Sequence, residues 1–395
     1  MKNNVFKIKI ITILAVSIIL IVCCPLTFSA NQPFFPITSA RADETTYYHV
    51  TRPCNLSFPD DHGMHPGYRT EWWYYTGNLR ASTGEKFGFQ MTIFRSQISP
   101  PGAEKNWPNP ASQWRSQNIF LGHAAVSNIT EQKHIFDEQW CREMIGIAGV
   151  SQNKSGTTRI YLKNWLIVID EKRHKIRVQS NQFAFDLKMR SLKPVVLHGD
   201  RGYSRKGELD ENASCYYSYS RLMTDGTLVY KDQTYAVSGS SWMDHEFSTA
   251  PLQKNIVGWD WFSLQFSDNT ELMVFLLRQT EKSIHPASSG SYIDEDGTKK
   301  QLTHKDFKIK VLDNWRSPQS GASYPSKWQL FISDMDMIIT ITSNINNQEM
   351  VTSESTDVIY WEGSVAITGY KRSHDISGVG YVELTGYNRR FDAPL

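Results

Sequence analysis

The sequence predicts an all-β protein made of two antiparallel β-barrel domains packed together. Three observations predict it. Apolar residues alternate with polar ones along most of the chain, the pattern of strands with one buried face. Aromatic residues make up 12% of the chain, with 12 Trp, 18 Tyr and 19 Phe, which suits broad sheet interiors. A segment rich in acids, histidines and tryptophans also occurs twice, on the scale of a domain. The first copy covers residues 58–77; the second starts at Trp242-Met-Asp-His-Glu246 and runs through Gly258-Trp-Asp-Trp-Phe262. Asp61-His62 matches Asp244-His245, Trp73 and Tyr75 match Trp259 and Trp261, and Glu85, Phe87 and Phe89 match Glu271, Met273 and Phe275.

Taken in order, the chain opens with Lys2, Lys7 and Lys9 before an apolar run over residues 10–22, the form of a signal peptide. Ala40-Arg41-Ala42 has the small-x-small pattern of a cleavage site. Residues 1–42 therefore read as a signal peptide, 43–239 as an N-terminal barrel domain and 240–395 as a C-terminal one. Export to a periplasmic or secreted location follows. An uncleaved N-terminal membrane anchor ranks second, because the run is shorter than the ~20 residues that span a bilayer. Lipidation at Cys23 or Cys24 ranks third, since Val22 stands where a small residue is expected. Peripheral membrane contact is a further expectation.

Strands follow. Phe87, Phe89, Met91 and Ile93 share one face of an extended segment. Ile160 and Leu162, then Trp165, Ile167 and Ile169, then Ile176 and Val178, then Phe183, Phe185, Leu187 and Met189 form a meander, with a polar turn at Glu171-Lys-Arg-His174. Residues 128–143 are mixed in pattern and predict a short helix, and residues 100–114, rich in Pro and Asn, predict an excursion or lid. In the second half Phe262, Leu264 and Phe266 alternate, Ser267-Asp-Asn-Thr270 turns, and Met273, Phe275 and Leu277 return. Met337-Ile-Ile-Thr-Ile341 continues the pattern, and segments 361–369 and 378–386 predict the closing strands.

Composition narrows the function. Loss of Lys2, Lys7, Lys9 and Arg41 on cleavage takes the basic count from 42 to 38 against 40 acidic residues, a formal charge of −2. That balance argues against nucleic acid as a partner. Cys54, Cys141 and Cys215 remain after cleavage, enough for one disulfide whose pairing the sequence does not specify. There is no Gly-x-Ser-x-Gly elbow, no Gly-x-Gly-x-x-Gly and no P-loop, so serine-hydrolase chemistry of the α/β type and nucleotide cofactors are disfavoured. No cofactor is expected. His62-x-x-His65 with Asp61 and Glu71 offers metal-ligand types, but Gly63 and Pro66 make it a loop. The reading preferred here has no metal: Asp61 and His62 hold a tight turn, with Arg69 pairing Glu71 or Asp244.

Several motifs in order carry a resemblance. They are Asp-His-Gly-Met-His-Pro-Gly-Tyr-Arg-Thr-Glu-Trp-Trp-Tyr at 61–74, Tyr216-Tyr-Ser-Tyr-Ser-Arg-Leu222, Trp242-Met-Asp-His-Glu246, Gly258-Trp-Asp-Trp-Phe262, Trp361-Glu-Gly363 and Gly380-Tyr-Val-Glu-Leu-Thr-Gly386. Together they resemble the lipocalin-like AttH and carotenoid 1,2-hydratase (hydroxyneurosporene synthase) family, in its exported "predicted secreted hydrolase" branch. The resemblance spans nearly the whole mature chain and implies two lipocalin-like barrels. Its carotenoid branch hydrates a terminal isoprenoid alkene without a cofactor, and its fungal members promote pericyclic cyclisations. The resemblance implies Asp244 as the acid, although Trp-Met-Asp-His-Glu replaces the Tyr-His-Asp type of the carotenoid enzymes and puts a carotenoid substrate in doubt.

Alkene hydration needs an acid to protonate one carbon, aromatic faces to stabilise the cation, and water to add. The expected catalytic residues are Asp244 and His245, and the expected ligand-binding residues are Trp242, Trp259, Trp261, Tyr217, Trp73 and Tyr75. The expected ligand is an apolar small molecule, an isoprenoid or a lipid. The enzyme expected is a cofactor-free hydratase or isomerase, and a non-catalytic lipid or isoprenoid carrier is the rival. The enzyme requires Asp244 on a cavity wall; the carrier allows it to be ion-paired and dry.

Overall fold

The computed structural model describes residues 47–391 apart from 111, 113 and 251. The expected signal peptide, with Cys23, Cys24 and the 40–42 site, lies outside the described residues. Alternation of apolar residues gives strands almost throughout, and no α-helix occurs among the described residues. The first sheet contains β1 (Thr70–Ala81), β2 (Lys86–Gln97), β3 (Asn118–Asn128), β4 (Lys133–Arg142), β5 (Ala148–Gln152), β6 (Thr158–Leu162), β7 (Trp165–Asp170), β8 (Arg173–Gln179), β9 (Phe183–Ser191), β10 (Val196–Leu197), β11 (Tyr203–Arg205), β12 (Ala213–Tyr230) and β13 (Gln233–Ser248). The second contains β14 (Ile256–Phe266), β15 (Glu271–Gln279), β16 (Ser289–Ile293), β17 (Lys299–Thr303), β18 (Lys308–Arg316), β19 (Ser323–Ile332), β20 (Met337–Ser343), β21 (Glu349–Thr352), β22 (Val358–Lys371) and β23 (His374–Leu384).

All pairings are antiparallel, with orders β4-β3-β2-β1-β13-β12-β9-β8-β7-β6-β5 and β17-β16-β15-β14-β23-β22-β20-β19-β18. The expected meander is β6 to β9, and its alternating residues are buried in one interior with Phe87, Phe89, Met91 and Ile93. Residues 133–142 form β4 rather than the expected helix, because they pair with β3 along their whole length. The first sheet curls almost shut. Gly122 on β3 sits so close to Leu162 and Trp165 that a Cβ there would meet them at 2.8 and 2.9 Å. The second sheet encloses its own core, but its end strands β17 and β18 do not pair.

The repeat has a topological basis. β1 lies between β2 and β13, and β14 lies between β15 and β23, so each sheet's first strand joins its second to its last. Side-chain direction is not preserved across the matched residues. Trp73 and Tyr75 point into the first interior, whereas Trp261 packs outside the second, whose interior takes Phe262 and Leu264. Met273 and Phe275 also face outward, where Phe87 and Phe89 face inward. With a side-chain period of two, a one-residue slip inverts every face. β13 straddles position 239/240 and belongs to the first sheet along its length; the chain changes sheet over residues 249–255.

The sheets meet outer face to outer face. Tyr74, Tyr216 and Trp242 from the first pack with Trp261, Met273, Phe275 and Tyr381 from the second. Cys54, ahead of β1, is disulfide-bonded to Cys215 on β12, which resolves the pairing that the sequence left open; Cys141 is free.

Candidate functional site

Strand alternation puts Trp242, Asp244 and Glu246 of β13 on the face toward the second sheet, and Met243, His245 and Phe247 on the other. A cavity of about 380 Å³ lies between the sheets, the size that takes a drug-sized molecule. Trp72, Tyr74, Phe94, Tyr216 and Asp244 line it from the first sheet, and Trp259, Trp261, Phe275, Glu362 and Glu383 from the second. The first interior is filled by packed side chains, so the open space lies at the seam between sheets rather than in a barrel mouth.

Asp244 is only 4% exposed and has no Lys or Arg partner among the described residues. Its Oδ1 accepts from Trp242 Nε1 at 2.6 Å and from Ser218 Oγ; its Oδ2 lies 2.8 Å from the Tyr216 hydroxyl. Tyr216 in turn accepts from Trp261 Nε1 at 3.1 Å. Burial pushes the Asp244 carboxyl up to about 7, against the pull of hydrogen bonds from Ser218, Trp242 and Tyr216. With two donors filling Oδ1, Oδ2 is the oxygen that carries the proton. Behind Ser218 lies His198, with Nε2 at 2.6 Å from Ser218 Oγ and Nδ1 at 2.9 Å from Ser291 Oγ. Since Ser218 donates to Asp244, His198 must carry its proton on Nε2.

Two further acids face the cavity. Glu362 accepts from the Tyr74 hydroxyl at 2.9 Å, and burial, reinforced by Glu383, raises it well above the usual range. Burial likewise pushes Glu383 up to about 7 despite a hydrogen bond from Trp259, with the Asp244 and Glu246 charges adding to the rise. Glu246 is ion-paired, with Lys206 Nζ 3.1 Å away. Neither Glu362 nor Glu383 was singled out in the sequence. The available signal was a lone acid inside an otherwise apolar strand, Tyr-Trp-Glu-Gly and Tyr-Val-Glu-Leu.

The other expected site residues separate into a second network inside the first sheet. His245, expected to be catalytic, does not line the cavity; its Nε2 is 2.8 Å from Glu71 Oε1 and its Nδ1 is 2.9 Å from the Tyr217 hydroxyl. Tyr217 also contacts His62 Nδ1 at 2.7 Å, so the histidines of the two Asp-His units share one hydroxyl inside the first sheet, while Asp244 faces the seam. Trp73 donates to the His62 carbonyl and Tyr75 meets His174 Nδ1 at 2.7 Å, both in the interior. Of the expected ligand-binding residues, Trp259 and Trp261 line the cavity, Trp242 supports Asp244 from behind, and Trp73, Tyr75 and Tyr217 are core.

Glu71 is fully buried, and the guanidinium that pairs it is that of Arg95, at 2.8 Å, where Arg69 was expected. Burial alone would raise Glu71, but Arg95 and His65 hold it well below the carboxylate range. Burial would lower His65, yet Glu71 and Asp61 push it up to about 9, so it is a cation at neutral pH. Donor atoms of His65, Glu71 and His245 lie within 4.8 Å of one another. But His65 Nδ1 and His245 Nε2 stand 2.6 and 2.8 Å from the same Glu71 oxygen. Ligand atoms around tetrahedral zinc sit about 3.3 Å apart. The cluster is therefore closed up as a hydrogen-bonded ion set and not opened around a metal.

Fold and site together define a lipocalin-like all-β protein with a cavity between two sheets. The chain belongs to the AttH-like family, whose model matches residues 49–387. It is similar to the crystal structure of an AttH protein from Nitrosomonas europaea, with 29% identity, TM-score 0.75, and 86% of this chain and 99% of that one covered. Kievitone hydratase from Nectria haematococca shares the fold at 15% identity, TM-score 0.63, over 86% and 95% of the two chains. CghA, solved with Sch210972, shares it at 11% identity, TM-score 0.50, over 81% and 89%. No curated protein sequence matches the chain.

Proposed function

We propose that this protein is a cofactor-free hydratase acting on an alkene-bearing, largely apolar small molecule held between the sheets. One observation carries the reading: Asp244 stands on the cavity wall, buried, without a cationic partner, and with its carboxyl pushed up to about 7. A general acid works best with a pKa near the operating pH. Asp244 Oδ2–H protonates one alkene carbon. The cation develops beside Trp259 and Trp261, whose rings stabilise positive charge. Water adds and gives its proton to Glu383, which is partly ionised near neutrality. The carboxyl pair begins and ends with one proton, so no proton is consumed and no redox partner is needed. The fold shared with kievitone hydratase supports the same reading. The substrate class proposed is isoprenoid or prenylated, and the Cys54–Cys215 disulfide supports an exported protein.

The test starts from the protein purified from its exported compartment, with co-purifying molecules identified by native mass spectrometry. Those molecules are then incubated in ¹⁸O-water with wild type or with Asp244→Asn. Labelled hydrate from wild type alone is the expected result, with turnover lowered roughly 10²–10⁴-fold in the variant. An unmodified ligand retained by both proteins would sink the enzyme and leave a carrier.

A further inference from the structure

The acid end of the cavity is one of two polar ends. Asp244, Tyr74, Thr92 and His123 form a row straight across β13, β1, β2 and β3, each directly opposite the next, and all four line the cavity. Three strand spacings put His123 about 14 Å from Asp244 along the sheet. At that end His123 Nδ1 is 2.8 Å from the hydroxyl of Tyr360, which reaches over from β22 and also lines the cavity. His123 Nε2 is 2.9 Å from Ser355 Oγ, and Ser355 donates to Glu138.

Donor accounting fixes the direction of this chain. Glu138 accepts from both the Ser355 hydroxyl and the Glu354 amide, as a carboxylate does. Ser355 spends its proton on Glu138, so it accepts from His123 Nε2–H. Nδ1 then bears the lone pair and takes the Tyr360 proton. His123 is 2% exposed, and burial drops its pKa to about 3, so it stays neutral with one acceptor nitrogen. Among the described residues the Tyr360 oxygen makes no other hydrogen bond. Its proton points away from the cavity, and its remaining lone pair is left to whatever fills the cavity.

We propose that Tyr360, oriented by His123, Ser355 and Glu138, forms a hydroxyl-accepting subsite, and that the ligand carries an alcohol or phenol O–H remote from its alkene. This rests on the reading of the seam cavity as the ligand site. A plain hydrocarbon would leave the Tyr360 lone pair buried and unpaired, and an anionic end would be repelled by the Glu138 carboxylate behind Ser355; a neutral O–H donor satisfies both constraints. Tyr360 is a specificity residue here, and His123 positions it.

Two probes of nearly equal shape test this: 2-naphthol, which donates an O–H, and 2-methoxynaphthalene, which does not. Calorimetric titration of wild type should show 2-naphthol binding about tenfold more tightly, although the ether is the more apolar molecule. Tyr360→Phe should abolish that preference, and Asp244→Asn should keep it. Equal binding of both probes to wild type, or a preference lost in Asp244→Asn and kept in Tyr360→Phe, would overturn the subsite and leave the cavity reading standing. Binding of neither probe would overturn both. The wild-type comparison stands by itself should Tyr360→Phe fail to fold.

Discussion

Asp244 and His245 are neighbours in sequence and belong to different machinery, because a strand sends consecutive side chains to opposite faces. Asp244 holds its place at a thermodynamic cost. Its carboxyl sits at about 7 when folded and at 3.8 when free in water, so the folded state binds the proton more tightly. Below 3.8 both states are protonated and nothing is lost. Between 3.8 and about 7 the unfolded chain ionises while the folded one resists, so this group lowers stability as pH rises and levels off above 7. The full difference corresponds to roughly 4 kcal/mol. Asp244→Asn removes the titration but keeps an acceptor for Trp242 and Ser218. Urea unfolding of both proteins at pH 4 and pH 7.5 should therefore show the variant gaining on wild type by about 2–4 kcal/mol at the higher pH. A gap that does not change with pH would mean that Asp244 is ionised in the folded protein.

At the scale of strands, the seam that forms the site depends on how closely two sheets approach. Gly88 on β2 faces Ser364 on β22, where a Cβ would meet the serine Cβ at 2.7 Å. Beside it Ser364 donates to Asn78 at 2.5 Å, and Asn78 Nδ2 donates to the Gly380 carbonyl at 3.1 Å. Gly88→Val would wedge this contact, costing about 1–3 kcal/mol by overpacking, and should part Tyr74 from Glu362. Thermal unfolding and near-UV circular dichroism would register both effects; unchanged spectra and melting would show that the sheets are free to separate there. Strand positions such as Phe87 to Ile93 and Phe183 to Met189 were legible in the sequence because alternation records one buried face. The seam was not legible, since strands facing it are apolar on both sides: Trp72 and Trp73, or Leu272 and Met273, bury on opposite faces. Asp244 stood out because a resemblance pointed to it. Tyr360 and Glu362 lie two residues apart on β22, and Glu383 pairs directly with Glu362 from the next strand β23; what no local pattern encodes is that this hairpin faces Asp244 of β13 across the seam.

For the whole molecule, the disulfide ties the segment ahead of β1 to β12, the strand that supplies Tyr216 to the site. Cys54 and Cys215 are 161 residues apart, and Cys215 directly precedes Tyr216, the partner of Asp244, and Tyr217, the partner of His62 and His245. The bonded cysteines pack with Val50, Tyr203, Ala213 and Phe247, so the bridge lies inside a small apolar cluster. A loop of this length removes a large share of the unfolded chain's freedom, and the chain-entropy account puts the stabilisation at about 5 kcal/mol as an upper figure. The two halves are also cross-linked by charge: Glu271 of β15 is held by Lys193, between β9 and β10, and by Arg221 of β12, at 2.8 and 2.5 Å. Breaking such a buried pair would leave an uncompensated charge, so neither sheet can melt without exposing the other. A double Cys54→Ser, Cys215→Ser variant should thus lose about 2–5 kcal/mol, and its whole unfolding transition should move as one. Denaturant unfolding followed by tryptophan fluorescence and by far-UV circular dichroism distinguishes the cases. Coincident, shifted curves are expected. Curves that separate would mean that the first sheet melts alone once untied, and that the seam contributes less to stability than its buried contacts imply.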